Sequence, residues 1–388
     1  MHSFLLIVFT ASVALIVHTY LLYPAVMMIF FSKSKNKILE YQADELLPNV
    51  AVLVAAYNEE KVIKEKIDSI FNTTYPPAKI KVYVGSDASA DNTDAIVESL
   101  KKKYQNLELV KFTGRVGKIS IINHLQSMGD EEILIMTDAN VIFKPTTLFE
   151  LVKKFKDHRV GIVAGNIVKE SLNDEGIAIQ EKKYLSMENK IKSCESNAFN
   201  LIMGAEGGCY AIRDNLFSKV PLKFIVDDFF ITMQVLNRGK YTLFNSEAIC
   251  IEDVPSDTAG EYKRKVRISS GNFQNLFFFK KLLITFWKPI SYTFWSHKVL
   301  RWLTPFFLIL SLFSSLFLCS FQPIFSVLFF MQLFGLSFPI LDHFFKFQNS
   351  FLKFISHFYL MNLALLDGFI KFTQGIKTSV WQPIKRDV

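Results

Sequence analysis

Between residues 49 and 137 the sequence changes its hydrophobic period again and again. Short apolar runs stand at 49–56 (NVAVLVAA), 80–85, 107–112 and 132–137, each bounded by polar residues, and runs of this length read as buried strands. Between them lie 59–72, 91–104 and 117–128. In the first of these Val62, Ile63, Ile67, Ile70 and Phe71 recur at helical spacing, and in the second Ala95, Ile96, Val97 and Leu100 do so. Strands alternating with amphipathic helices predict a mostly parallel sheet with helices on both faces, the α/β class.

In such a sheet ligands bind outside the carboxyl ends of the strands. Three polar clusters fall at those ends: Tyr57-Asn58-Glu59 (after Ala56), Ser86-Asp87-Ala88-Ser89, and Asp138-Ala139-Asn140. Asp138, with a second oxygen donor two residues on in Asn140, suits a hard divalent cation that also touches phosphate. Asp and Asn are equally turn residues, so a single cluster is only a loop. Three clusters at one edge converge on one crevice and point to a nucleotide. No GxGxxG follows the first strand and no GxxxxGK[ST] is present, which excludes the usual dinucleotide and ATPase fingerprints.

The rest of the chain is not that of an ordinary soluble enzyme. Half of the 388 residues are hydrophobic, mean hydropathy is +0.24, and most of the 39 phenylalanines fall in the last third. Residues 4–31 are almost wholly apolar and long enough to span a bilayer. Basic residues follow this run (Lys33, Lys35, Lys37) instead of preceding it, so it reads as an uncleaved anchor with its following end cytoplasmic, not as a signal peptide. Stretches 299–320 and 323–341 are two further spans. The stretch 351–374 is long enough but carries His357, Asn362, Asp367 and Lys371, so that spanning and lying at the interface both stay open. Residues 275–295, with Phe, Trp and Lys interspersed, read as a helix in the cytoplasmic interface, with a buried amphipathic helix under the sheet as the equal alternative. The chain thus divides into an anchor (1–31), a polar linker (32–48), an α/β domain (49–271), an interfacial helix (272–296), a C-terminal membrane region (297–374) and a basic tail (375–388).

Net charge is +8. The cations flank apolar runs, so membrane lipid and anionic diphosphate ligands are the expected partners and nucleic acid is not. The four cysteines, Cys194, Cys209, Cys250 and Cys319, form no CxxC pair and read as free thiols.

Seven segments in order resemble the family 2 glycosyltransferases, the GT-A-fold group that includes chitooligosaccharide, cellulose, hyaluronan and poly-N-acetylglucosamine synthases. AAYNEE (55–60) resembles the first-strand motif, SDASADNT (86–93) the DDGSxDxT segment, GRVGKISIIN (114–123) the RxGKxxxLN segment, and TDAN (137–140) the DxD position. GAEGGCYAIR (204–213) resembles the acceptor-side glycine segment, VDDF (226–229) the base motif, and the stretch 261–276, with Arg264 and Arg267, the QxxRW position. The Trp of that last motif is missing, Arg stands for its Gln, and the DxD position reads Asp-Ala-Asn.

The resemblance implies a GT-A domain between N- and C-terminal transmembrane helices, set in the inner membrane with the catalytic part facing the cytoplasm. It implies that Asp87 contacts the nucleotide base and that Ala56, Tyr57, Asn58, Glu59, Lys118, Arg264 and Arg267 bind the nucleotide. Asp138 and Asn140 then hold Mg2+ or Mn2+, Glu206, Gly207, Gly208 and Asp227 face the acceptor, and Asp228 is the general base. The implied reaction is inverting transfer from a nucleotide sugar, UDP-linked, to a lipid-linked or growing glycan acceptor, for an extracellular polysaccharide or envelope glycan, alongside other polysaccharide-assembly proteins. A processive synthase that exports its polymer and a non-catalytic subunit of a synthase complex are the alternatives.

Overall fold

The computed structural model describes residues 1–34, 37–170, 177–253 and 258–376. Lys35 of the basic flank and the tail beyond 376, with Trp381, lie outside them. The chain forms two compact units, one built on the sheet and one helical.

The sheet unit holds eight strands: β1 (Val50–Ala56), β2 (Ile80–Ser86), β3 (Leu107–Lys111), β4 (Ile133–Asp138), β5 (Val141–Phe143), β6 (Val160–Glu170), β7 (Cys209–Arg213) and β8 (Tyr241–Asp253). Their order is β3-β2-β1-β4-β7-β6-β8-β5. The first four in this order run parallel, as the alternation predicts. β7 then enters antiparallel to β4 and to β6. Ala56 stands beside Ser86, and Ala55 beside Asp138, so the three polar clusters do leave one edge of the sheet.

β1 is buried along its whole length because both of its faces are covered. Val50, Val52 and Val54 share a core with Ile63, Ile67 and Ile70 of the helix Ile63–Phe71. On the other face the helix Lys118–Gln126 comes so close to β2 that a Cβ on Gly85 would stand 2.2 Å from the Ile121 side chain. Burying one such aliphatic side chain contributes about 1.5–3 kcal/mol, so each helix is held mainly by its apolar stripe.

The helices are shorter than their periodicity suggests, Ile63–Phe71 and Thr93–Lys101 in place of 59–72 and 91–104. The missing first turns are used in loops at the site.

In the helical unit, three helices are long and apolar enough to cross a membrane among the described residues: His2–Phe31, Pro289–Leu318 and Pro323–Phe345. The helix Ser350–Thr373 is not one of them. The stretch expected as one interfacial helix, 272–296, is divided. Its first residues end the helix Thr258–Phe278, a 3-10 segment Lys280–Ile284 follows, and Pro289 opens the next long helix. Proline has no N–H to continue a preceding helix and is preorganised to start a new one, which explains the break. The helix Thr258–Phe278 belongs to the helical unit, so the sheet unit ends before residue 271.

Candidate active site

The first two polar clusters are stitched together. Asn58 Oδ1 accepts from Ala90 N at 2.8 Å, and the amides of Asn58 and Glu59 donate to the hydroxyls of Ser89 (3.2 Å) and Thr93 (2.8 Å). Glu60 N donates to Asp91 Oδ2 at 3.1 Å, while Glu60 Oε2 accepts from Asn92 N at 3.0 Å. Asn58 and Ala88 both adopt positive φ, 53° and 55°, a conformation that costs energy outside glycine and is typical of functional loops. These reciprocal bonds hold it in place.

Asp87 is fully buried. Its carboxylate accepts from Arg115 Nε at 3.0 Å, from Val116 N at 2.6 Å, and from Gly117 N at 3.2 Å. The Arg115 guanidinium lies 3.3 Å from the centroid of the Tyr57 ring. Asp87 therefore organises the loop ahead of the helix Lys118–Gln126 and seats Arg115 on Tyr57. Arg115 and Val116 were not singled out from the sequence, although they lie inside the RxGK-like segment.

That loop delivers Lys118 to the end of β4, where Nζ lies 2.5 Å from Asp138 Oδ1. Burial disfavours the ammonium, but Asp138, Asp227 and Asp228 together outweigh it and hold Lys118 above the ordinary lysine range. Asn140 turns its amide toward Glu252 Oε1, 3.4 Å away.

Asp228 approaches the same space from the first turn of the helix Asp227–Asn237. Its carboxylate accepts from Gly207 N at 2.8 Å and Phe229 N at 2.6 Å. A Cβ on Gly207 would lie 3.0 Å from Asp228 Oδ2 and 3.4 Å from Lys118 Nζ, and one on Gly208 would lie 3.7 Å from Asp138 Oδ2. The glycine segment thus leaves open the space that the three charged groups share. Burial pushes the Asp228 carboxyl up to about 7, with the adjacent Asp227 adding to it and Lys118 and the two amides opposing it. A carboxyl placed near neutrality in this way suits a general base.

Behind Glu206 stands a residue outside every motif of the sequence. Lys192, buried on the helix Ile177–Phe199, donates to Glu206 Oε1 at 2.6 Å. Burial alone would lower it, and Glu206, Glu188 and Asp228 raise it instead. Glu188, Lys192 and Glu195 recur at i, i+4 and i+7 and are all buried. Charge at the spacing of an inward face was the signal for them.

Asp138 and Asn140 offer oxygen donors of the kind Mg2+ and Mn2+ prefer. No group of three or more His, Cys, Asp or Glu side chains that could hold a metal occurs among the described residues. Among the described residues Asp138 and Asn140 thus do not belong to an all-protein cage of acidic, His or Cys ligands. The gathered residues all come from the sheet unit. Arg264 and Arg267 belong to the helical unit, where Arg264 pairs with Glu261 at 2.8 Å.

A solved mannosyltransferase from Pyrobaculum calidifontis, in complex with GDP-Man and Mn2+, matches 94% of this chain and 99% of its own with a TM-score of 0.70 at 20% identity, a likeness of fold. The fold is that of the GT-A glycosyltransferase class. The glycosyl transferase family 2 profile matches residues 51–220, and the chain carries a domain of that family. Poly-beta-1,6-N-acetyl-D-glucosamine synthase of Staphylococcus epidermidis is 27% identical over 276 residues, 68% of this chain and 63% of that protein. Hyaluronan synthase of Streptococcus pyogenes serotype M1 is 25% identical over 296 residues, 70% of this chain and 65% of that one. The matches span a little under two thirds of these relatives' length.

Proposed function

We propose that the protein is an inverting, metal-dependent glycosyltransferase that moves a sugar from a UDP-linked donor to a lipid-linked or growing glycan acceptor. The observation that carries this reading is the meeting of Asp228, Lys118 and Asp138 around the open glycine segment. Asp228 takes the proton of the acceptor hydroxyl as its oxygen bonds to the anomeric carbon. The bond from that carbon to the diphosphate breaks, and the nucleoside diphosphate leaves with the electron pair. Lys118 moves from Asp138 to the diphosphate and stabilises the charge that develops there. Mg2+ or Mn2+, held by Asp138 and Asn140, would supply further neutralisation of the leaving group. Asp87, expected to contact the base, is fully buried and its carboxylate is taken up by Arg115 and two amides, so in this reading it acts on the nucleotide through the Arg115–Tyr57 pair that it seats.

The polymer-forming relatives support a glycan acceptor, and the three apolar helices support a place in the cytoplasmic membrane. The test is nucleoside diphosphate release by the purified protein with a panel of sugar nucleotides and Mg2+ or Mn2+, followed by mass analysis of the product. Release from no donor would favour the non-catalytic subunit. Asp228→Asn as fast as wild type, with acceptor present, would remove Asp228 as the base.

A further inference from the structure

Lys66 is a fully buried lysine that the proposed chemistry does not use. It stands on the helix Ile63–Phe71, on the same inward face as Ile63, Ile67 and Ile70. Its ammonium donates to Thr137 Oγ1 at 2.7 Å and to the main-chain oxygen of Val141, and lies 3.7 Å from the centroid of the Phe143 ring. Thr137 immediately precedes Asp138, and Val141 immediately follows Asn140. A single cation therefore holds both ends of the Asp138-Ala139-Asn140 turn from beneath.

Two further bonds extend the hold. The Thr137 hydroxyl, while accepting from Lys66, donates to the Gly208 carbonyl at 2.8 Å. Ser69, three residues along on the same helix, accepts from Phe143 N at 3.2 Å and donates to the Lys66 carbonyl at 2.7 Å. Packing alone does not require a charge here. A buried ammonium carries a desolvation cost that an apolar side chain of the same volume would not, and the lysine's hydrogen-bond partners are neutral oxygens.

We propose that Lys66 is a positioning residue that fixes the Asp138-Ala139-Asn140 turn and, through Thr137, ties it to the glycine segment of the acceptor side. This rests on the donor-site reading given above for Asp138 and Asn140. The ammonium sets the separation between residues 137 and 141, and so the direction in which the two oxygen donors leave the sheet. Supporting groups of this kind change metal affinity by roughly 10–100-fold when removed.

The experiment uses the full-length protein in detergent or nanodiscs. In Lys66→Met, hydrogen exchange of the amides of 138–143 is expected to quicken by about tenfold or more, with the loops at 57–59 and 87–89 unchanged. Mn2+ affinity, measured by the electron paramagnetic resonance of free Mn2+ in the presence of UDP or GDP, is expected to fall by about 10–100-fold, with the melting temperature held. A purely structural lysine would lower the melting temperature and leave Mn2+ affinity alone, and that result overturns the proposal. Wild-type exchange in the turn overturns it as well. Quickened exchange in a protein whose wild type takes up no Mn2+ with either nucleotide keeps Lys66 as the brace of the turn and removes the donor-site reading. Should Lys66→Met not fold, Thr137→Val removes one of the two acceptors, and unchanged exchange in that variant overturns the proposal.

Discussion

The ammonium of Lys118 lies 2.5 Å from Asp138 Oδ1 at the carboxyl edge of the sheet. The same lysine feels Asp227 and Asp228, so it is shared between the side of the site read as donor and the side read as acceptor. Lys118→Met should lower nucleoside diphosphate release by about 10²–10³-fold, the usual loss for one preorganised charge-stabilising group. Circular dichroism should stay that of the wild type. Release within threefold of wild type would remove Lys118 from the diphosphate.

With Asp228 as the proposed base, the pH dependence of activity should follow its ionisation. Burial pushes its carboxyl up to about 7 from an ordinary value of 3.8, and only the ionised form takes a proton. Activity should therefore rise with pH through about 7. Asp227→Asn removes the like charge beside it, so the rising limb should move to lower pH. For stability the sign is opposite. A folded value above the unfolded one means that the contribution of Asp228 is complete below about 4 and is lost as pH rises through 7. Thermal melts of wild type and Asp228→Asn should lie closest at low pH and separate as pH rises, with the variant gaining. Parallel melting curves from pH 5 to 8 would count against the shift.

Asn140→Asp would complete the DxD pattern, but Asn140 faces Glu252 at 3.4 Å. A carboxylate there meets a like charge unless a cation lies between them. Without metal the variant should melt about 2–4 °C below wild type, the size expected for ~1 kcal/mol in a domain of this length. Mn2+ should raise its melting temperature by more than it raises that of wild type. Equal responses to Mn2+ would place residue 140 away from the cation.

Gly207 and Gly208 should separate chemistry from stability. A Cβ on Gly208 would stand 2.9 Å from Val141 Cγ2 and 3.0 Å from Ile167 Cδ1, both in packed strands. Gly208→Ala should cost about 1–3 kcal/mol by overpacking, read from denaturant unfolding. A Cβ on Gly207 would meet Asp228 Oδ2 and Lys118 Nζ. Gly207→Ala should keep the fold and lose turnover. A reversed pattern would misplace the glycine segment.

Much of this architecture is legible in the sequence. The switch between strand and helix periods over residues 49–137 is enough to give a mostly parallel sheet, because period decides which face of an element is apolar. The end of β4 at Asp138 follows from where the apolar run stops. Pro289 and the division of 272–296 were less legible, since aromatic and lysine composition suits a continuous interfacial helix as well as a broken one.

Side-chain partnerships were not legible, because they depend on contacts between residues far apart in the chain. Nothing local says that Asp87 takes the amides of Val116 and Gly117, or that Asn140 looks toward Glu252. Lys66 shows the limit most clearly. Its position on the apolar stripe of Ile63–Phe71 was visible in the sequence, and a charge on such a stripe demands a partner. Only the tertiary structure, by packing that helix under β4 and β5, decided that the partners are Thr137 and Val141. The sequence by itself determined the elements, their order and the polar edge. The packing of distant segments decided which of those polar groups face each other and which hold the others in place.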